Sequence, residues 1–485
     1  MKNQRLGCVL AGIAIFGLTG CSPESITLEG KVSNLSGNTI VYRPTMDGIY
    51  NATQKDTLFL QADSTYRITF PSKGNEKISF YIYGQKYLGT VYAEPGKNVL
   101  DIDASLENSL SIENTLANEN EIVKELSRLQ GEVFNLRARR GDAFQVAKDT
   151  VASSVYQKLT DYASGIEQKI NGVDDVFKKR AVQDVRMQML LAFMNQYFGI
   201  DYLGTEETKK EWEAVYPEML AYADISRPEN VFSDAFADVI SNVAGIELYM
   251  KTKQQPKDRN EGKQKLFDWY KNNLKGRVQE VAMANVILDD ASNESYSTGI
   301  PALYEQFKEL HPASTLTPAL EEAVQKNIAF NNQELPEDIH ILNTDSVRSF
   351  KEITDRYAGK VIFIDIWATW CGPCRESFAH VKPLQQYAKE NDIVLLYVSI
   401  DRPTDAALWK KMAGYYNLKG DHVIINEFFK MDIYNTFGNN GALYIPHCAI
   451  INKKGELQFK KAASPEDMDK LVSETLEDFK AAYTQ

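Results

Sequence analysis

The sequence predicts three regions in tandem: a small β-sandwich, an α-helical middle and a C-terminal α/β fold. Three observations point there. At 485 residues the chain exceeds the roughly 100–200 residues of one domain. Its apolar periodicity is near two up to about residue 104 and helical from about 116 to 330. From 345 onward, continuous apolar runs alternate with amphipathic stretches. The expected boundaries are 1–21 for a leader, 22–110, 111–335 and 340–485.

Bulk composition narrows the function classes. Hydrophobic residues make up 44% and charged residues 25%, as in a globular protein. A formal charge of −12 leaves no basic face to offset phosphates, so nucleic acid is excluded as a partner. No stretch after residue 25 approaches the roughly 18 apolar residues that span a bilayer.

The leader has Lys2 and Arg5, an apolar run from Val9 to Leu18, and then Leu18-Thr19-Gly20-Cys21. This resembles a bacterial lipoprotein signal. The resemblance implies cleavage before Cys21, lipidation of Cys21, and a tether over 22–26. Loss of Lys2 and Arg5 takes the charge from −12 to −14. Ser22 is not the Asp that retains many such proteins at the inner membrane, which favours the outer membrane slightly.

Residues 26–104 read as strands. Ile26–Val32, Tyr66–Phe70 and Ile78–Tyr83 alternate and are rich in β-branched and aromatic residues. Ser36-Gly37-Asn38, Lys73-Gly74-Asn75 and Pro95-Gly96 punctuate them, the last leading into Val99–Ile102. The region resembles a β domain that precedes thioredoxin-like domains in many lipoproteins, with Pro95-Gly96 as the main match.

The middle region carries apolar stripes. Ile122, Leu126, Leu129, Val133 and Leu136 fall on one helix face, as do Val155, Leu159, Tyr162, Ile166 and Ile170. Further helices are expected over 175–198, 263–290, 301–310 and 317–329, with a surface loop over 254–262. The Met- and aromatic-rich stretch from Met187 to Phe198 reads as core, with a substrate groove as the alternative. No fixed repeat period appears, so a solenoid is not supported.

In the last region, Lys360–Ile366 and Ile393–Ile400 are buried-strand runs, with an amphipathic helix expected over 372–390 between them. Ile445–Ile451 is a third strand. Asn452–Glu456 turns into Leu457–Phe459, and a last helix covers about 465–482.

The five cysteines are Cys8 and Cys21 in the leader, Cys371, Cys374 and Cys448. An exported chain with one close pair and one single thiol has no disulfide framework, so the pair reads as chemical. Strand, then Trp370-Cys371-Gly372-Pro373-Cys374, then helix puts Cys371 at a helix start, where free amides favour a thiolate. Cys374, one turn on, can reach back to a mixed disulfide. A zinc site would want a second CxxC or spaced His, and neither is present.

Phe363 to Arg375, which includes Trp367-Ala368-Thr369-Trp370-Cys371-Gly372-Pro373-Cys374, resembles the signature of the thioredoxin superfamily, and within it the TlpA-like membrane-attached thiol-disulfide oxidoreductases. The resemblance spans about 340–485 and implies a thioredoxin-like fold. It implies that Asp365 is a buried carboxylate that moves the proton of the second Cys. It also implies that Ile445 and Pro446 form the cis-proline loop that pairs with substrate, and that Trp370 flanks the dithiol. Tyr397 stands where thioredoxins often carry a Lys. His447 and Cys448 follow Pro446, as a tuning His or a third thiol, or as ordinary strand residues. The longer 402–440 stretch resembles the TlpA-like insertion. His311, His340, His380 and His422 have no motif context and read as structural or solvated.

The expected protein is therefore a lipid-anchored, periplasm-facing thiol-disulfide oxidoreductase that reduces protein disulfides through Cys371 and Cys374. It would need no cofactor of its own, because no nucleotide or flavin motif is present, and would draw electrons from a membrane donor. The alternatives are a disulfide oxidase or isomerase using the same residues, and a ligand-binding scaffold lipoprotein with an auxiliary redox domain.

Overall fold

The computed structural model describes residues 25–468 and Leu471, apart from 36–38, 46–55, 73, 83–85, 106–109, 139–150 and 440–441. The leader with Cys8 and Cys21, the Ser36–Asn38 turn and most of the expected 465–482 helix lie outside the described residues. Among the described residues no helix is long and apolar enough to cross a membrane.

The chain divides into two compact units. The first holds everything to Ser292 together with Ala302–Leu320; the second holds Asn293–Pro301 and everything from Glu321. The β and helical regions thus belong to one unit, and short pieces of the helical region belong to the other.

Among the described residues, eight strands open the first unit: β1 Ser25–Ser33, β2 Ile40–Pro44, β3 Asp56–Leu58, β4 Thr65–Pro71, β5 Glu76–Ile82, β6 Lys86–Ala93, β7 Gly96–Asp103 and β8 Leu110–Glu113. They form two four-stranded sheets, ordered β4-β1-β7-β8 and β3-β2-β5-β6. The alternation in β1 buries Ile26 and Leu28. These side chains share one core with Ile40, Ile78, Phe80, Leu100 and Ile102 from both sheets, the arrangement of a sandwich. Gly30 is required where β1 and β7 run side by side, because a Cβ there would sit 2.0 Å from the Leu100 carbonyl oxygen.

Among the described residues these helices follow: α1 Ala117–Ala138, α2 Ala152–Glu167, α3 Asp175–Leu203, α4 Glu206–Ala223, α5 Phe236–Gly245, α6 Arg259–Asn273, α7 Gly276–Ser292, α8 Ile300–Leu310 and α9 Thr317–Asn332, the last running mostly into the second unit. Asp174 caps α3, accepting from the amides of Val176 and Phe177. The Met187–Tyr197 stretch is core, with Phe193 and Tyr197 packed on Trp212 of α4. The single helix expected over 263–290 is two, α6 and α7. The chain breaks at Leu274, and Gly276 takes a left-handed φ of 58°. The loop expected over 254–262 is shorter, because the Asp258 side chain caps α6 by accepting from the Glu261 amide.

Polar ties join the sandwich to the helices. Asn120 of α1 and Tyr92 of β6 exchange two hydrogen bonds, at 2.8 and 2.9 Å. Lys77 of β5 is held by Asp234 at 2.9 Å and by Asp184 of α3 at 3.8 Å, with Ser233 also donating to Asp184. Burying the sandwich's second face on helices is what a small two-sheet unit with apolar outer residues requires.

The second unit is built on strands β9 Ile339–Ile341, β10 Val361–Trp367, β11 Ile393–Ser399, β12 Gly420–Ile424, β13 His447–Ile451 and β14 Leu457–Phe459. Its sheet is ordered β14-β13-β10-β11-β12-β9. β10, β11, β12 and β9 are parallel, and β13 is antiparallel to β10. β10 is buried at all seven positions, which explains its unbroken apolar run. Among the described residues, helices α10 Phe350–Thr354, α11 Gly372–Ser377, α12 Val381–Glu390, α13 Ala406–Tyr415 and α14 Glu427–Phe437 pack with the sheet. The helix expected over 372–390 is interrupted by a 3₁₀ turn at Phe378–His380. The 402–440 stretch is a strand and two helices, which places β12 between β11 and β9.

Candidate functional site

β10 ends at Trp367, and the next four residues turn into α11 with Cys371 as its N-cap. Cys371 and Cys374 are joined in a disulfide. The Cys374 amide donates to Cys371 Sγ at 3.2 Å, and the Arg375 amide to the Cys371 carbonyl at 3.2 Å. Pro373 occupies the first turn, where its missing N–H costs nothing. Cys374 is fully buried and Cys371 is 5% exposed, whereas Trp370 beside them is 59% exposed. Of the two cysteines only Cys371 keeps any exposure.

The turn is pinned from below by a residue the sequence reading passed over. Asp401 is buried and accepts from the Thr369 amide and hydroxyl, both at 2.8 Å, and from the Ser399 hydroxyl at 2.7 Å. Burial raises its carboxyl above the usual range, and these three donors pull the other way. A signal was present: Ser399-Ile400-Asp401 sets two polar side chains at the close of an apolar strand.

Asp365 lies in the middle of β10, 2% exposed, and its Oδ1 has no hydrogen-bond partner. Burial alone pushes its carboxyl up to about 7. In register, Asp365 stands opposite Tyr397 of β11 and Cys448 of β13. Directly paired residues share a face, so the three side chains form one row across the sheet. Tyr397 pairs in turn with His422 of β12, and their rings stack at 4.7 Å. Tyr397, in the place of the expected Lys, is thus a neutral buried phenol, held protonated by burial and by the charge of Asp365. Cys448 is buried too, and burial and Asp365 raise its thiol well above the ordinary value.

Ile445 and Pro446 immediately precede β13, and the peptide between them is cis. Because His447 pairs with Ile366 in an antiparallel ladder, Pro446 emerges beside Trp367 at the end of the sheet where the dithiol turn begins. Tyr444, two residues earlier, is strongly exposed. Trp370, Cys371, Ile445 and Pro446 therefore all belong to one end of the sheet, with Asp365 two residues inside it. His447 donates from Nε2 to the Lys460 carbonyl at 2.7 Å. His422 is buried, with Nε2 at 2.6 Å from the Leu418 carbonyl, and burial holds its ring down at about 4. His340 pairs with Asp421 at 2.9 Å. Among the described residues no cluster of three His, Cys, Asp or Glu could hold a metal ion.

Residues 333–475 match the model of the Redoxin family. That match falls within the second unit, whose strand–turn–helix dithiol and mixed sheet make a thioredoxin-like fold. Among curated proteins, a thioredoxin from Coprinus comatus is 39% identical over 56 residues, 12% of this chain and 51% of that protein. The thiol-disulfide oxidoreductase ResA of Geobacillus kaustophilus is 28% identical over 102 residues, 21% of this chain and 54% of ResA. The chain thus spans about half the length of the curated relatives it matches. Among solved structures, a thiol-disulfide oxidoreductase from Bacteroides fragilis aligns over 28% of this chain and 88% of its own, at 18% identity and a TM-score of 0.22. The Redoxin match begins before β9 and takes in the dithiol, Asp365, Asp401 and Pro446. The sandwich and α1–α9 lie outside it.

Proposed function

We propose that the protein is a thiol-disulfide oxidoreductase that reduces disulfides of other proteins, facing the periplasm from a lipid anchor at Cys21. The observation that carries the chemistry is the asymmetry of the dithiol: Cys371 caps the helix start, receives an amide hydrogen bond and keeps slight exposure beside the exposed Trp370, while Cys374 is fully enclosed. The Cys371 thiolate attacks one sulfur of a substrate disulfide, forming a mixed disulfide and releasing the other sulfur as a thiolate. Asp365 takes the proton of Cys374 through the buried region beneath the turn, which suits a carboxyl that titrates near neutrality. Cys374 then attacks Cys371, the second substrate thiolate leaves, and two electrons have passed to the substrate. Ile445 and Pro446 offer backbone to the substrate chain, and Trp370 offers an exposed apolar surface beside it. A membrane donor then reduces the Cys371–Cys374 disulfide again. The outer-membrane placement rests on Ser22 alone.

The test is a Cys374→Ser variant in the full chain. Mixed disulfides should accumulate through Cys371 in cells and vanish in the Cys371→Ser, Cys374→Ser double variant. Absence of trapped partners would favour a scaffold lipoprotein instead. A reduction potential near about −120 mV, the strong-oxidant end, would reverse the direction to oxidation.

A further inference from the structure

Arg375 follows the second cysteine, and its side chain does not extend into solvent. Only 15% of it is exposed. It folds back along the first turn, as helical side chains do, so that a Cβ built on Gly372 would lie 3.9 Å from Arg375 Nη2. The guanidinium therefore lies against the residue between the two cysteines. Nη1 donates to the Asn293 carbonyl at 2.6 Å and pairs with the Glu294 carboxylate at 3.2 Å.

Those partners belong to the Asn293–Pro301 piece of the second unit. It is held there by aromatic packing. Tyr296 stacks on Phe330 of α9 with ring centroids 4.2 Å apart and packs on Tyr415 of α13 at 5.8 Å. The Glu294 carboxylate also accepts from the hydroxyl of Tyr416, whose ring packs on Phe378 directly after α11. Glu294 and Tyr296 adopt left-handed φ of 49° and 44°, so this short path is bent by its contacts and not by Gly. Nothing in the dithiol chemistry needs a carboxylate from so far upstream.

We infer that Glu294, acting through Arg375, is a positioning residue that sets the net charge felt by the Cys371–Cys374 dithiol, and so how readily it gives up electrons. The inference rests on the proposed redox role of the dithiol. Paired, Arg375 and Glu294 cancel. Removing the carboxylate leaves a cation beside the turn, which favours the Cys371 thiolate and hence the reduced form. Removing the cation leaves Glu294 uncompensated and favours the disulfide.

The experiment measures the equilibrium of the full chain with reduced and oxidised glutathione in wild type, Glu294→Gln, Arg375→Gln and the double variant. Glu294→Gln should shift the equilibrium toward the dithiol by about three- to tenfold, the scale of one unit charge at the edge of a partly buried site. Tenfold corresponds to about 30 mV. Arg375→Gln should shift it the opposite way, and the double variant should return to within about twofold of wild type. Structural damage would move both single variants in the same direction, so shifts of one sign overturn the inference. Shifts below about twofold in both single variants do so too, given an unchanged wild-type exchange. A wild-type chain that does not exchange with glutathione at all overturns the redox reading, and this inference with it.

Discussion

Asp365→Asn is the sharpest perturbation of the site, because its effect has a shape in pH as well as a size. The carboxyl is 2% exposed, Oδ1 is unpartnered, and burial raises it from an ordinary 3.8 to about 7. In the window between those values the folded chain holds a proton that the unfolded chain has released. The unfolded state binds fewer protons there, so stability falls as pH rises, and the loss is complete above the folded value. A shift of about three units at 1.36 kcal/mol each makes the full loss about 4 kcal/mol. Asn cannot ionise, so whatever constant offset it introduces, it lacks this slope. The assay is urea unfolding of the reduced protein at pH steps from 4 to 8, with Trp212 and Trp269 replaced by Phe in both proteins so that fluorescence reports Trp367, Trp370 and Trp409. The Asp365→Asn variant should gain on wild type by about 4 kcal/mol across that range. A difference that stays constant to within about 1 kcal/mol would show that Asp365 is ionised throughout, and would remove the physical basis for its role as proton acceptor.

Three further outcomes follow from the same geometry. Asp401→Ala strips the buried Thr369 amide and hydroxyl of their acceptor, and should cost about 3 kcal/mol by denaturant unfolding, with slower substrate reduction. Lys77→Ala leaves Asp184 and Asp234 facing each other without a counter-charge, and should destabilise the first unit by about 3–5 kcal/mol, read from its thermal transition. Cys448, with its thiol raised by burial and by Asp365, should react with iodoacetamide far more slowly in the folded chain than reduced Cys371, whose helix N-cap position favours the thiolate; peptide mass mapping distinguishes them.

What the sequence made legible is what lies close along the chain. The apolar run of β10, the alternation of β1, and the Cys371–Cys374 turn each encode their structure locally. β6 was not legible, because six consecutive buried positions and Gly89 in its interior erase the alternation. Neither was α4, whose stripe is crossed by Pro217. The boundary between α6 and α7 was missed because periodicity continues through the two-residue break Leu274-Lys275. At the site, the residues missed are those that act across long sequence distances: Asp401 on Thr369, and Glu294 on Arg375. The row of Asp365, Tyr397 and Cys448 follows from strand register, which no single segment carries.

The order in which the two units draw on the chain has a consequence for synthesis and for cutting. The redox unit takes 293–301, yields 302–320 to the first unit, and resumes at 321. A ribosome therefore delivers the segment that grips Arg375 well before any strand of this sheet, and the Arg375 contact can form only after the dithiol turn has been made. For the same reason no single peptide bond separates the units cleanly. A fragment begun at 340 would carry Cys371 and Cys374 while leaving behind Glu294 and Tyr296. The two halves of this protein are stitched, not strung.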